Sequence, residues 1–447
     1  MIDLSEKNLN RTIVSLAWPS IMENLLQTSV YLVDSIFVGR LGTLAFTAVG
    51  QSSMVLFIVV FVFVGVGVAS GAMVSRNLGR GDVDAAARAG SQGILIGTFV
   101  GVILGIFGIL YGEVLLALLG TAPDVIEASR GFMNLIFLFS AFRMFMYIAS
   151  GVLRAAGDTK TPMWAAGIMN LFNIVADWIL IFGWGPIPAM GIEGAGLATG
   201  LAYVVGASIL AYKMFRPRER FFIPVRYLLK LDWTIIRTIT RVSLPNVGEQ
   251  VVMQGAYFLF MWMVTGLGTV ALAAHFMAIR TEMISFMPVF GLSIAVSTIV
   301  GQSLGAQRPD IAELAVKRSL RIGLIGMGAL CVLFIGAPGV FVSLFSPTPE
   351  VYDLSVICVR IAALELPTSA MLMIYGAAMR GAGDTLSPML ISLFGAVFLR
   401  VGMIYFLVVT LNWGLPGVWY GTAIDWAVRT VICYYLFRRG RWKRVKL

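Results

Sequence analysis

The chain has 447 residues, of which 59% are hydrophobic and only 13% charged, and 33 Lys and Arg face 23 Asp and Glu for a net charge of +10. A soluble protein carries about 25% charged residues, so this composition excludes a soluble enzyme or binding domain and points to a polytopic membrane protein. Three cysteines, Cys331, Cys358 and Cys433, all fall in apolar segments, and an odd count argues against a disulfide framework.

Apolar stretches of about 20 residues cross a bilayer as helices. Twelve are expected, in chain order at 13–37, 46–74, 91–118, 131–152, 162–183, 192–214, 237–263, 271–300, 319–344, 353–378, 388–410 and 418–437. No cleavable signal is expected, because "MIDLSEKNLNR" is polar and the apolar stretch after it has spanning length. The first helix carries Pro19, which removes a backbone hydrogen bond and kinks a helix, and Asp34, about 30 Å beyond the start of the span. The fifth reads "NLFNIVADWILIFG", with Asn170, Asn173 and Asp177 on one face. In the seventh and eighth, Glu249, Arg280 and Glu282 accompany Met253, Met261, Met263, Met277, Met283 and Met287. Flexible methionines suit a wall that binds varied shapes, so Glu249, Glu282, Arg280, Met253 and Met287 are candidates for a substrate cavity; ordinary packing explains the methionines equally well. Glu365, Arg400, Asp425 and Arg429 lie in the last three spans, and Asp425 and Arg429 are spaced to neutralise each other. His275, the lone histidine, reads as core or interfacial rather than as a proton relay.

Basic residues collect in alternate loops, at 75–90, 154–160, 213–230 and 306–319, and at both ends of the chain. By this placement 26 of the 33 lie on one side, two (Arg40 and Arg130) on the other, and five within spans. The positive-inside rule makes the rich side cytoplasmic, with both termini there. The basic balance therefore sets topology in the plasma membrane, and no nucleic-acid partner is expected.

"RAAGDTKTP" at 154–162 recurs as "RGAGDTLSP" at 380–388. The same offset carries Pro19 onto Pro245, Glu23 onto Glu249, and "LGT" at 41–43 onto "LGT" at 267–269. One gapless offset over six helices marks a duplication. An even number of spans per half keeps the halves parallel, related by an axis along the membrane normal. The expected fold is all-α: a six-helix lobe at 1–214, a cytoplasmic linker at 215–235 and a six-helix lobe at 236–447.

The offset also exposes differences. Asp34 maps to Phe260, Asn173 to Leu399 and Asp177 to Met403. An architectural polar group would more often appear in both halves, so these three read as functional. A charged side chain inside a bilayer costs at least about 2.5–3.5 kcal/mol. Two carboxylates with amide oxygens make a hard-oxygen site for H+ or Na+, and close carboxylates readily share one proton. Interhelical hydrogen bonding is the structural alternative. No HExxH, P-loop or G-x-S-x-G motif occurs, so neither an enzyme nor an ATP-driven pump is expected, and no cofactor beyond the coupling ion.

The stretches "AWPSIMENLLQTSVYLVDSIFVGRLG" (17–42) and "LRAAGDTKTP" resemble the multidrug and toxic compound extrusion (MATE) family, over essentially the whole chain. The resemblance implies a secondary antiporter exporting organic cations and other amphipathic toxins in exchange for H+ or Na+. Asp34 matches the acid of the family's D-x-x-x-x-G-x-L-G stretch. Asn173 and Asp177 match the fifth-helix pair of the DinF-like and archaeal branch, Pro19 its proposed bending point, and Thr199 the sixth-helix threonine. The NorM-like branch adds an acid deep in the tenth helix; "PTSAMLMIYGAAMRG" has none, which favours coupling in the first lobe. The resemblance thus makes Asp34, Asp177, Asn173, Asn170 and Thr199 the coupling set, with Asp34, Asp177 and Asn173 as metal ligands if Na+ is used. Small amphipathic molecules and membrane lipids are the expected partners, and a monomer the expected form. A lipid-linked saccharide flippase is the alternative, for which more spans and a cationic cavity are expected; a channel or receptor does not account for the repeat and its asymmetric acids.

Overall fold

The computed structural model describes residues 2–61, 64–217, 221–345 and 348–445, with backbone only at 57–61, 64 and 284. Arg218, Arg220 and Lys446, which the charge distribution counted as cytoplasmic, lie outside the described residues.

The regular structure of the described residues is helical, apart from a Trp184–Ile187 bridge in the turn after the fifth span. In the first half the helices are α1 (Leu9–Gly39), α2 (Thr43–Phe61), α3 (Val64–Gly79), α4 (Val83–Leu118), α5 (Pro123–Leu138), α6 (Ser140–Ala155), α7 (Lys160–Phe182) and α8 (Gly191–Phe215). In the second they are α9 (Trp233–Thr265), α10 (Thr269–Gly305), α11 (Pro309–Gly336), α12 (Pro338–Ser343), α13 (Pro349–Ala362), α14 (Glu365–Gly381), α15 (Leu386–Leu393), α16 (Val401–Tyr405) and α17 (Gly414–Arg438). Two π-helical stretches, Phe394–Arg400 and Phe406–Thr410, extend α15 and α16 into one span.

These elements account for the twelve expected spans. Among the described residues six helical stretches are long and apolar enough to cross a membrane by themselves. The pairs α5–α6 and α13–α14, bent by 46° and 47°, bring the number to eight. The helices α1, α9 and α17, of 31, 33 and 25 residues, have the length but are diluted by polar side chains; α2 and α3 share the last span. The all-helical, twelve-span expectation is borne out.

The duplication is visible atom by atom. Gly157 and Gly383 take positive φ, 92° and 90°, at the turn of the two AGDT loops. Behind them Asp158 accepts from the Thr161 backbone N–H (3.0 Å) and hydroxyl (2.6 Å), and Asp384 from those of Ser387 (3.1 and 2.7 Å). Each aspartate satisfies a donor that a helix start leaves orphaned.

Contacts group the chain into two compact units: Trp18–Ser243, and Ile2–Ala17 with Leu244–Leu447. Both divisions fall just before the in-helix prolines Pro19 and Pro245, which the repeat pairs with each other. In the second unit Leu9, Ile13 and Leu16 pack with Leu292, Ile299 and Ile311. In the first, the described part of the 215–235 linker is strapped to α4. Gln92 donates to the carbonyls of Tyr227 (3.2 Å) and Lys230 (2.9 Å) and accepts from the Asp232 N–H (3.2 Å), while the Tyr227 hydroxyl donates to Asp84.

One face of α4 is a glycine stripe, Gly93, Gly97, Gly101, Gly105, Gly108 and Gly112, packed on α3, α5 and α6. The opposite face, with Phe99, Ile103, Ile106 and Leu110, is exposed and fit for lipid. Small residues let membrane helices approach closely where no hydrophobic effect drives them together. A Cβ on Gly101 would lie 2.7 Å from Ala141 Cα, where backbone cannot yield. Gly101→Val is therefore expected to destabilise the protein by about 1–3 kcal/mol or more through overpacking, whereas Val102→Leu on the exposed face should be near neutral. Thermal unfolding of the purified variants in detergent checks the difference.

Candidate functional site

In the first unit, α1 brings Asp34 to Asp177 of α7, with the two carboxyls within reach of a shared proton. Asp177, Asn173 and Asn170 are all buried, and Asp34 is half-buried. Asn170 ties the two helices by donating to the Leu26 carbonyl at 2.6 Å. Beyond the acids, Phe37, Trp178 and Phe182 pack edge to face and tilted, with centroids 5.4–6.2 Å apart. The polar atoms between these two contacts are left over: both Asp177 oxygens, Asp34 Oδ1, both Asn173 amide atoms and Asn170 Oδ1 make no hydrogen bond. The hydroxyls nearby on α1 bond their own helix instead, Thr28 to Asn24 O and Ser35 to Tyr31 O. An unsatisfied buried polar group costs about 1–3 kcal/mol, so a concentration of them in one place is where an ion or proton gains most. These oxygens fit either H+ or Na+; among the described residues no group of three metal-ligating side chains of the His, Cys, Asp and Glu kind exists. Of the five coupling residues singled out in the sequence, the structure assembles four. Thr199 is half-buried on α8 and makes no hydrogen bond to either acid.

Sequence reasoning passed over Arg143. It lies on α6, donates to the Tyr31 hydroxyl at 3.0 Å and stacks over the Tyr203 ring at 5.2 Å, and Tyr203 in turn neighbours Asp34. The signal was present: Arg143 is a charge inside a span, and its counterpart in the second half is Ser369.

The second unit has a buried charged cluster of its own, at positions the repeat does not share. Glu282 and Glu365 face each other, and Thr422 donates to Glu365. Arg400 Nε and Arg429 Nη2 both reach Asp425 Oδ2, at 2.8 and 2.5 Å, and Arg429 stacks over Trp426 at 4.8 Å. The spacing of Asp425 and Arg429 gave half of this pairing and missed Arg400, which comes from another span. Among the candidate cavity residues, Glu249 is occupied elsewhere: it accepts from Ser392 at 2.7 Å and pairs with Arg380 at 3.7 Å. Arg280 is exposed, and Met253 and Met287 are half-buried. His275 is buried among Phe260, Phe276 and Trp419.

Glu249 has a structural twin. Glu23 pairs with Arg154 through Nη1 at 2.7 and 2.9 Å, and Arg154 and Arg380 open the two AGDT loops. The Glu23 side chain is 3% exposed and that of Glu249 12%. Breaking the more buried pair should cost more: roughly 3–5 kcal/mol for Glu23→Ala, against about 1–3 kcal/mol for Glu249→Ala. Cys358 and Cys433 are buried, so a thiol-reactive dye reports the unfolding temperature of both variants directly.

Comparisons with known proteins place the fold in a family. The chain is 29% identical over 437 residues to a Thermotoga maritima protein named probable multidrug resistance protein NorM, covering 98% of this chain and 94% of that one. It is 25% identical over 433 residues to the Bacillus subtilis protein named probable multidrug resistance protein YoeA, covering 96% and 93%. A solved structure of MATE in the bent conformation superposes with a TM-score of 0.91 at 24% identity, over 98% of this chain and 96% of that one. The MatE family model matches residues 19–179 and 245–406, two segments that begin at the paired prolines of the repeat. With both halves of its duplication matched, this multi-pass membrane protein belongs to the MatE family.

Proposed function

We propose that the protein is a secondary active antiporter that exports organic cations or amphipathic drugs and toxins in exchange for H+ or Na+ by alternating access. The observation that carries this reading is the Asp34–Asp177 pair, Asp177 fully buried and Asp34 half-buried, with both Asp177 oxygens and Asp34 Oδ1 unpartnered. The multidrug names of the relatives, each matched over nearly its full length, support the substrate class. Asp34, Asp177 and Asn173, with Asn170 as the brace between α1 and α7, hold the coupling ion; Thr199 lies on α8, outside this contact. A proton or Na+ on the pair cancels the charge that holds a cationic substrate, so ion and substrate compete. Linkage makes the coupling reciprocal: whatever the ion takes from substrate affinity, the substrate takes from ion affinity. Pro19 sits where α1 passes from one compact unit to the other, a place for a bend to be used. The first-half acids and the acid-free stretch after Glu365 fit the DinF-like branch, although the relatives reported above include one with a NorM name. The working form is a monomer in the plasma membrane with both termini cytoplasmic.

Asp34→Asn and Asp177→Asn should insert and fold yet lose gradient-driven efflux by about tenfold or more, measured in proteoliposomes with an imposed proton or Na+ gradient. An Asp177→Asn variant that still exports drug against a gradient would make the carboxylate interhelical glue and end this reading. The gradient that drives the wild type identifies the ion.

Orientation has its own test. Trp184, in the turn after α7, and Leu229, in the linker, are both well exposed. Single cysteines there, in a background freed of the native three, should react with impermeant reagent from opposite sides of intact cells, Trp184→Cys from outside. Labelling of both from one side would overturn the topology.

A further inference from the structure

The two halves also part company where α4 is followed by α5 and α11 by α13. In the first half α4 runs unbroken to Leu118, and Arg130 of α5 closes on Glu113 through Nε and Nη2 at 2.5 and 3.0 Å. The repeat turns Glu113 into Gly339 and Arg130 into Val356, so the second half has no such pair, and Pro338 stands in place of Gly112. Proline lacks a backbone N–H and drives the residue before it out of the helical region. Ala337 accordingly takes φ −138° and ψ 49°, and the helix divides into α11 and α12. At this break lies a cleft of about 460 Å³, whose lining includes Pro338, Ser343, Tyr352, Val356 and Arg360. Ligand sites commonly measure about 300–1,000 Å³. The Tyr352 hydroxyl lies over Gly339, in the space a Cβ would take. The one charge in the lining is Arg360, exposed on α13 within the bent α13–α14 span, where the repeat has Asn134. A guanidinium carries five N–H donors, yet among the described residues Arg360 makes neither a hydrogen bond nor an ion pair. Glu350 and Asp353 of the same helix stay out of the lining. Arg154, Arg380, Arg400 and Arg429, by contrast, each engage a carboxylate.

We propose that this cleft is a binding site for an anionic phospholipid, which sets its phosphate on Arg360 and the Tyr352 hydroxyl and lays an acyl chain along the apolar rim. A charge within a span is costly and is ordinarily paired; Arg360 has no partner in the chain, so its partner is a ligand. A planar fork offers a phosphate two parallel N–H bonds. The lining holds one cation and no acid, which favours a lipid of net negative charge: a zwitterionic headgroup would bring an ammonium that finds no carboxylate there. The rim supplies the apolar half of the site. Val340 in the lining, and Ile335 and Ile357 next to lining residues, are exposed large hydrophobics on membrane helices. A free phosphate shares the head chemistry but makes no use of that rim. The lipid thus does for Arg360 what Glu113 does for Arg130 in the first half, with the acid supplied by the membrane instead of the chain.

The test reads occupancy at the cleft itself. Leu344, exposed just past α12, is changed to cysteine in a full chain freed of the native three and labelled with a fluorophore. The protein is reconstituted in phosphatidylcholine bilayers, into which brominated phosphatidylglycerol or brominated phosphatidylcholine is titrated as a contact quencher. With the cleft otherwise unchanged, half-quenching is expected at about tenfold less phosphatidylglycerol than phosphatidylcholine. Arg360→Gln should abolish the preference. Val356→Glu should abolish it as well while keeping the arginine, because it sets an acid one turn away as an internal partner. Arg438→Gln with Arg439→Gln, at the far end of α17, should leave it intact. Equal quenching by the two lipids before any change to the cleft overturns the proposal without recourse to a variant. A preference that survives Arg360→Gln, or one that disappears with Arg438 and Arg439, overturns it too, since general charge attraction then accounts for it. Displacement of the brominated phosphatidylglycerol by excess inorganic phosphate would assign the cleft to a free anion and overturn the lipid as its occupant.

Discussion

A polar group in hydrocarbon must find its partner inside the protein, because lipid supplies none. Much of this chain obeys that constraint through local hydrogen bonds and ion pairs. Many serines and threonines within spans bond carbonyls one turn back, and Ser129 and Ser355 do so at equivalent places in the two halves, at 2.6 and 2.7 Å. Glu23 and Glu249 meet the arginines that open the AGDT loops. Asp425 takes two guanidiniums. Six of the nineteen buried side-chain atoms left without a partner among the described residues belong to this one contact between α1 and α7, a grouping visible without appeal to any relative.

The duplication made the fold legible. Apolar length placed the twelve spans and a single gapless register divided them into two sets of six, and the structure keeps that register down to paired glycine φ angles and matching aspartate caps. Composition and loop charge needed no three-dimensional information, since both follow from the solvent each segment meets. The acid pair was legible for a related reason: subtracting one half from the other leaves Asp34, Asn173 and Asp177 without twins.

What stayed hidden depended on rotation about helix axes and on which spans become neighbours. The same subtraction leaves Arg143 and Arg400 without twins too, but only the folded chain shows Arg143 held by Tyr31 and Tyr203 and Arg400 reaching Asp425 from a different span. Glu282 and Glu365 are likewise far apart in sequence and meet through the packing of α10 on α14. The division between compact units was invisible for another reason. Loop composition marks where the chain turns, whereas the units change hands inside α1 and α9, in the middle of continuous helix.

The π-helical stretches before and after α16 carry a consequence for how such a duplicated protein diverges. A π turn takes up one residue more than an α turn, and each residue of a helix advances by about 100°. Met403, the counterpart of Asp177, lies just past the stretch Phe394–Arg400, whereas Asp177 sits in an uninterrupted helix. Equal positions in the alignment therefore point in different directions around their axes. The stem of Arg429 lies where a side chain on Gly395, within the same stretch, would have to go. Placing an acid at residue 403 would not reproduce the first half's arrangement, because the helix is wound differently there. The difference between the halves lies in the backbone as well as in the side chains.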